Sequence, residues 1–143
     1  MTESETGLSG YVPGADLGRP AEGPGSVARP GRRLLSLVID WAVCLLIARG
    51  LFQASPSDPA GSLVPVLVLV VENALLIPTA GATLGQRLAG VQTERVDGGR
   101  LGLGVGLVRA VLLALVVPPF TLIWQRDLRG AHDLAAGAVV VRN

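Results

Sequence analysis

Arg33, Asp40, Glu72, Asn73 and Arg109 are charged or strongly polar side chains set inside apolar stretches. Asp40 stands near the middle of the run Leu34–Phe52 (LLSLVIDWAVCLLIARGLF), and Arg33 stands at its entrance. At membrane depth a charge costs on the order of 2.5–3.5 kcal/mol. It persists if it is paired, faces water or changes protonation state. Three chemistries fit. Asp40 and Glu72 are candidates for the acidic groups of an ion or proton path. Alternatively, Asp40 with Arg109 or Asn73 forms a fixed network joining three segments, a buried pair that is costly to break but weak evidence for transport. A lipid-headgroup role is the third reading.

Spacing narrows the choice of partners. Arg33, Ser36, Asp40 and Cys44 fall at i, i+3, i+7 and i+11, one face of a helix. Arg33 is expected to snorkel toward cytoplasmic headgroups. Asp40 lies about 10 Å deeper along the axis, too far for a bond to Arg33 within the helix. Its partner must come from water or from another segment, with Arg109 and the Glu72/Asn73 pair as candidates. Arg109 reads either as a counter-ion or as an interface anchor, and Arg49 as a snorkelling residue at the far end of the span.

Other combinations carry less. His132-Asp133 has the makings of an acid–base pair, but this single histidine has no nucleophile at a defined spacing, so no enzyme is expected. Asp133 reads more simply as a cap before Leu134 or as an arginine partner. The lone Cys44 can form no internal disulfide and is expected to be a small packing residue. No metal site or cofactor is indicated. Gly102-Leu-Gly-Val-Gly106 lacks the strand–turn–helix setting of a dinucleotide loop. Gly81-Ala-Thr-Leu-Gly85 fits either a small-xxx-small helix contact or a glycine turn.

The elements that must position these residues are mostly apolar. Half of the 143 residues are hydrophobic, yet only two Phe, two Trp and one Tyr are present to anchor a soluble core. The apolar residues gather in three blocks, the pattern of a multi-pass membrane protein. Net charge is +1, so no nucleic-acid field is expected. Residues 1–30 are polar, rich in Gly and Pro, and without the layout of a signal peptide, which predicts a disordered tail. Spans are expected at about 34–52, 62–80 and 103–124. The first has 19 residues and rises about 28 Å, close to the hydrocarbon thickness. Val91–Val96 alternates like a short strand before the Asp97-Gly98-Gly99 turn, and Ala138–Val141 is a β-branched run.

Arginine placement orients the chain. Arg29, Arg32 and Arg33 precede the first span, and Arg87, Arg95 and Arg100 follow the second. The loop Gln53–Gly61 has no basic residue. The positive-inside rule places the N-terminus and the central segment in the cytoplasm. The third block, interrupted by Pro118-Pro119, either crosses once or enters and returns as a hairpin. The hairpin keeps Arg126, Arg129 and Arg142 inside, and it allows Gly90–Val96 to pair with Ala136–Val141.

The order of these features resembles the RDD family of small bacterial membrane proteins, named for one arginine and two aspartates. RRLLSLVID supplies Arg33 and Asp40. GATLGQRLAGVQ is similar to the family's central motif at Thr83, Gly85, Arg87 and Gly90. HDLAAGAVVV is similar to its ending, with His132, Asp133 as the second aspartate, and Gly137. Ala138 replaces the usual threonine, and Arg109 falls where the family often has an arginine. The resemblance runs from about Arg32 to Val141. It implies membrane residence, no cofactor, and a molecular role that is largely unassigned, with transport suggested.

The expected fold is therefore an all-α membrane protein: two transmembrane helices, a third span or re-entrant hairpin, and a short cytoplasmic strand pair. Its expected partners are the lipid bilayer and either further copies of itself or a larger membrane protein, since three spans enclose little of a pathway. Its expected location is the cell membrane. Function divides into transport of an ion, proton or small solute, and a non-transporting scaffold or accessory subunit.

Overall fold

The computed structural model describes residues 12–115 and 131–143. Helix α1 spans Pro30–Gly50 and α2 spans Pro59–Ala80. Each begins with proline at its first turn, where the missing N–H has no intrahelical partner to lose. Asp58 caps α2 by accepting from the Gly61 amide at 3.1 Å. Both helices start about one turn before the expected apolar runs, so Pro65 falls inside α2 rather than in its first turn. Gly81, at φ +76°, ends α2 in the left-handed region and donates its amide to Ile77 O at 3.0 Å.

Short elements follow. Helix α3 covers Leu84–Leu88, strand β1 Val91–Arg95, helix α4 Leu103–Ala114, helix α5 Ala131–Ala136 and strand β2 Ala138–Arg142. The strands pair antiparallel, with Val91 opposite Arg142, Thr93 opposite Val140 and Arg95 opposite Ala138. This is the pairing expected from the two apolar runs. Gly81 O accepts from the Thr93 amide at 2.8 Å, which ties β1 to the end of α2. Helix α4 runs back along α2: Gly106 lies so close to Pro78 that an added Cβ would come within 2.6 Å of its Cγ. Ile77, Leu101, Ala136 and Ala138 form one core cluster at this end, and Ala28, Ala89, Val91 and Val140 form another.

The expected disordered tail is corrected for residues 12–30. A 3-10 turn forms at Ala15–Leu17, and Ser26, Val27 and Ala28 are buried. The segment lies along the free edge of β2. Ala28 N donates to Val140 O at 2.8 Å, Arg142 N to Ser26 O at 2.9 Å and Gly25 N to Arg142 O at 2.9 Å. Arg19 forms a salt bridge with Glu94 on β1. Composition alone predicts disorder because these residues bury little against themselves. The open strand edge supplies the backbone partners that the segment lacks. The expectation for residues 1–11 lies outside the described residues.

The helices leave their apolar outer faces bare. On α2, Leu63, Leu67, Val71 and Leu75 form an exposed stripe, and α1 and α4 expose Leu34, Leu35, Val38, Leu46, Leu107 and Val108. Apolar surface on this scale marks contact with lipid or protein. Among the described residues, α2 is the one helix long and apolar enough to cross a membrane. Helix α1 matches its length but carries Arg32, Arg33, Asp40 and Arg49. The expected third span continues into residues 116–124, and its Pro118-Pro119 break, with Arg126 and Arg129 beyond, lies outside the described residues.

Candidate functional site

Two buried polar clusters are built between the helices. The first centres on Asp133 in α5, which is fully buried. Arg33 of α1 donates through Nη2 to Asp133 Oδ2, and Arg109 of α4 donates through Nε to Asp133 Oδ1 at 2.9 Å. Arg109 Nη1 also reaches Asn73 Oδ1 on α2 at 3.4 Å, and Asn73 Nδ2 donates to Leu69 O at 3.0 Å. Three helices thus meet at one carboxylate, and α2 joins them through the Asn73–Arg109 contact. Among the described residues two guanidinium groups face this one carboxylate, and all three side chains are almost closed to solvent. Charge-assisted bonds of this kind lose much of their value if one partner is removed.

The second cluster centres on Asp40. Thr83 Oγ1 donates to Asp40 Oδ2 at 2.5 Å, and the Gly85 amide donates to Asp40 Oδ1 at 2.7 Å. Local sequence explains why these donors are presented. Thr83 is the N-cap of α3: its Oγ1 accepts from the Gln86 amide at 3.2 Å while Gln86 Oε1 accepts from the Thr83 amide at 3.4 Å. This is a capping box. The hydroxyl accepts within α3 and gives its proton to Asp40. Gly85 allows the close approach. An added Cβ would lie 2.1 Å from Ser36 O and 2.8 Å from Asp40 Cγ. A step further along, Cys44 Sγ contacts Glu72 Oε2 at 3.6 Å, and Glu72 Oε1 is buried without a hydrogen-bond partner among the described residues. Asp40 and Glu72 are close enough to interact.

These contacts correct several expectations. Asp40 bonds neither Arg109 nor Asn73. Those two bond each other instead, and Arg109 turns to Asp133. The reason is the insertion of α3, whose N-terminus reaches Asp40 first. Arg33 does not snorkel, because Asp133 meets it in the interior. Arg109 is a buried ion-pair partner rather than an interface anchor, and Asp133 takes the arginine-partner reading. Gly81 makes the turn and Gly85 the small-residue contact, so the two readings of Gly81–Gly85 each apply to one glycine.

The remaining motif residues divide by position. Gly90 and Gly137 have φ of +69° and +60° and lead into β1 and β2. Arg87 is exposed on α3. The side chain of His132 lies outside the described residues. No group of three or more metal-ligating side chains converges among the described residues.

The model for the RDD family matches residues 27–137. The chain belongs to the RDD family. No curated protein and no solved structure matches it. In this RDD protein, the arginine and two aspartates that carry the resemblance do not share one site: Arg33 and Asp133 belong to one cluster and Asp40 to the other.

Proposed function

We propose that this RDD protein is a multi-pass protein of the cell membrane whose signature charges brace its helices, so that it serves as a scaffold or accessory subunit rather than as a carrier. The observation carrying this reading is that Asp40 and Asp133 each use both carboxylate oxygens in internal bonds. A carboxylate held at both oxygens by donors from its own fold is poorly placed to take up and release a passing ion.

The topology goes with it. Residues 25–28, β1 and β2 are hydrogen-bonded together, so the start of α1, the end of α2 and the C-terminus share one end of the molecule. Arg29, Arg32, Arg87, Arg95, Arg100 and Arg142 gather there, whereas the α1–α2 loop has no basic residue. By the positive-inside rule that end is cytoplasmic. An even number of crossings follows. The 12 residues of α4 rise about 18 Å, short of the ~30 Å hydrocarbon core. A third block that enters and returns satisfies that even number.

Glu72 supports a second reading, a transport-linked role in an oligomer, because its buried Oε1 has no hydrogen-bond partner among the described residues. One experiment separates the two. Asp40→Asn and Glu72→Gln are reconstituted into proteoliposomes, and ion or proton flux is measured beside thermal unfolding. The scaffold reading expects no flux from the native chain and a lowered melting point for Asp40→Asn. Native flux abolished by Glu72→Gln at unchanged melting would overturn it.

A further inference from the structure

The first turn of α1 and the outer face of α3 make a basic surface beside exposed leucines. Arg29, Arg32 and Arg87 are all exposed, and among the described residues none has a carboxylate partner. They are brought together by a specific contact. Arg32 Nη1 crosses from α1 to donate to Ala89 O at 2.9 Å, two residues beyond Arg87. That bond uses part of the Arg32 fork and leaves its other N–H groups outside the bond. Leu84 and Leu88 lie one turn apart on α3 and are 49% and 75% exposed. Leu34 and Leu35 continue the apolar surface onto α1. Two other arginines at this end are engaged differently: Arg95 pairs with Asp97 at 3.1 Å, and Arg100 donates to Thr79 O at 2.7 Å.

We infer that Arg29, Arg32 and Arg87 seat the headgroup of an anionic phospholipid, with Leu84 and Leu88 lying against its acyl chains. Arginine suits a phosphate because its planar fork presents parallel donors. A lipid suits the surface better than an acidic peptide because the leucines adjoin the arginines and run into the bare apolar faces of the helices. Helix α3 then has two faces with separate tasks. Gly85 and the Thr83 cap turn inward to hold Asp40, and Leu84, Arg87 and Leu88 face the bilayer. The inference rests on the membrane reading above.

The test uses the full chain in phosphatidylcholine-containing micelles, with phosphatidylglycerol as the probe and native mass spectrometry counting bound lipid. Native protein should retain phosphatidylglycerol over phosphatidylcholine. Each arginine changed to glutamine should weaken binding roughly fivefold, the effect of losing one basic residue near an anionic surface. The triple Arg→Lys variant, which keeps the charge but not the planar fork, should bind more weakly than the native chain and more tightly than the triple Arg→Gln variant. Arg49→Gln, at the far end of α1, should bind as the native chain does. Equal retention by the triple Arg→Gln variant, or an equal loss in Arg49→Gln, would overturn the proposal. So would displacement of the lipid by an equal concentration of inorganic phosphate, which would mark a free-phosphate seat. Flotation of alkali-washed vesicles is scored separately. A chain that fails to float refutes the membrane reading, whereas one that floats without a phosphatidylglycerol preference refutes only the lipid seat.

Discussion

Asp133→Asn removes the negative charge that joins Arg33 to Arg109 and leaves two guanidinium groups in a pocket closed to solvent. The formal charge there rises by one unit. Breaking one buried ion pair costs about 3–5 kcal/mol because the stranded charge stays desolvated. Two pairs share Asp133, so the loss should lie in or above that range, though the two contributions will not simply add. A domain of this size is held by about 5–15 kcal/mol, so the variant should keep little margin. Arg109→Met in the same background removes one stranded charge, and the double variant should be less unstable than the sum of the singles by about 1–3 kcal/mol. The assay is reversible denaturant unfolding in mixed micelles, followed by circular dichroism across the four proteins of the cycle. A loss below about 1 kcal/mol for Asp133→Asn, or strict additivity, would refute the idea that this carboxylate holds the helices together.

Two further outcomes follow from the packing. Gly85→Ala drives a methyl group to 2.1 Å from the Ser36 carbonyl oxygen. Backbone cannot rotate aside as a side chain can, so the cost should reach the upper part of the ~1–3 kcal/mol seen for overpacking, read as a lower unfolding midpoint. Ala28→Pro removes the amide that donates to Val140 O. The unpaired carbonyl should cost about 1–3 kcal/mol, and hydrogen exchange should accelerate at Arg142, whose amide bonds Ser26 O; unchanged protection there would show that residues 25–28 are not held along β2.

The two long helices and both strands were legible because their signals are local, whereas the short helices α3 and α5 were not expected. The apolar runs set α1 and α2, and alternation before Asp97-Gly98-Gly99 set β1. The shared face of Arg33 and Asp40, and the impossibility of a bond between them, followed from helix geometry alone. What answers each charge was not legible. Thr83 and Gly85 lie 43 and 45 residues from Asp40, and Asp133 lies 100 residues from Arg33. A local signal for α3 does exist, since Thr83 and Gln86 stand at capping-box spacing, but nothing in that spacing says the cap will dock on Asp40. Residues 12–30 misled for a related reason. Their composition describes what they bury against themselves, whereas their order comes from the edge of β2, a strand more than a hundred positions later.

The central claim is that Asp133 and β2 return to the end of the molecule where α1 begins. It is tested most directly by labelling from one side of the membrane. Single cysteines are placed at Gly31, exposed at the start of α1, and at Asn143, exposed after β2, each in a Cys44→Ala background. In intact cells an impermeant thiol reagent should leave both unlabelled, and both should react once the membrane is opened. Labelling at Asn143 while Gly31 stays protected would set the two ends on opposite faces. The Arg33–Asp133 bond and the pairing of β2 with residues 25–28 could not then exist.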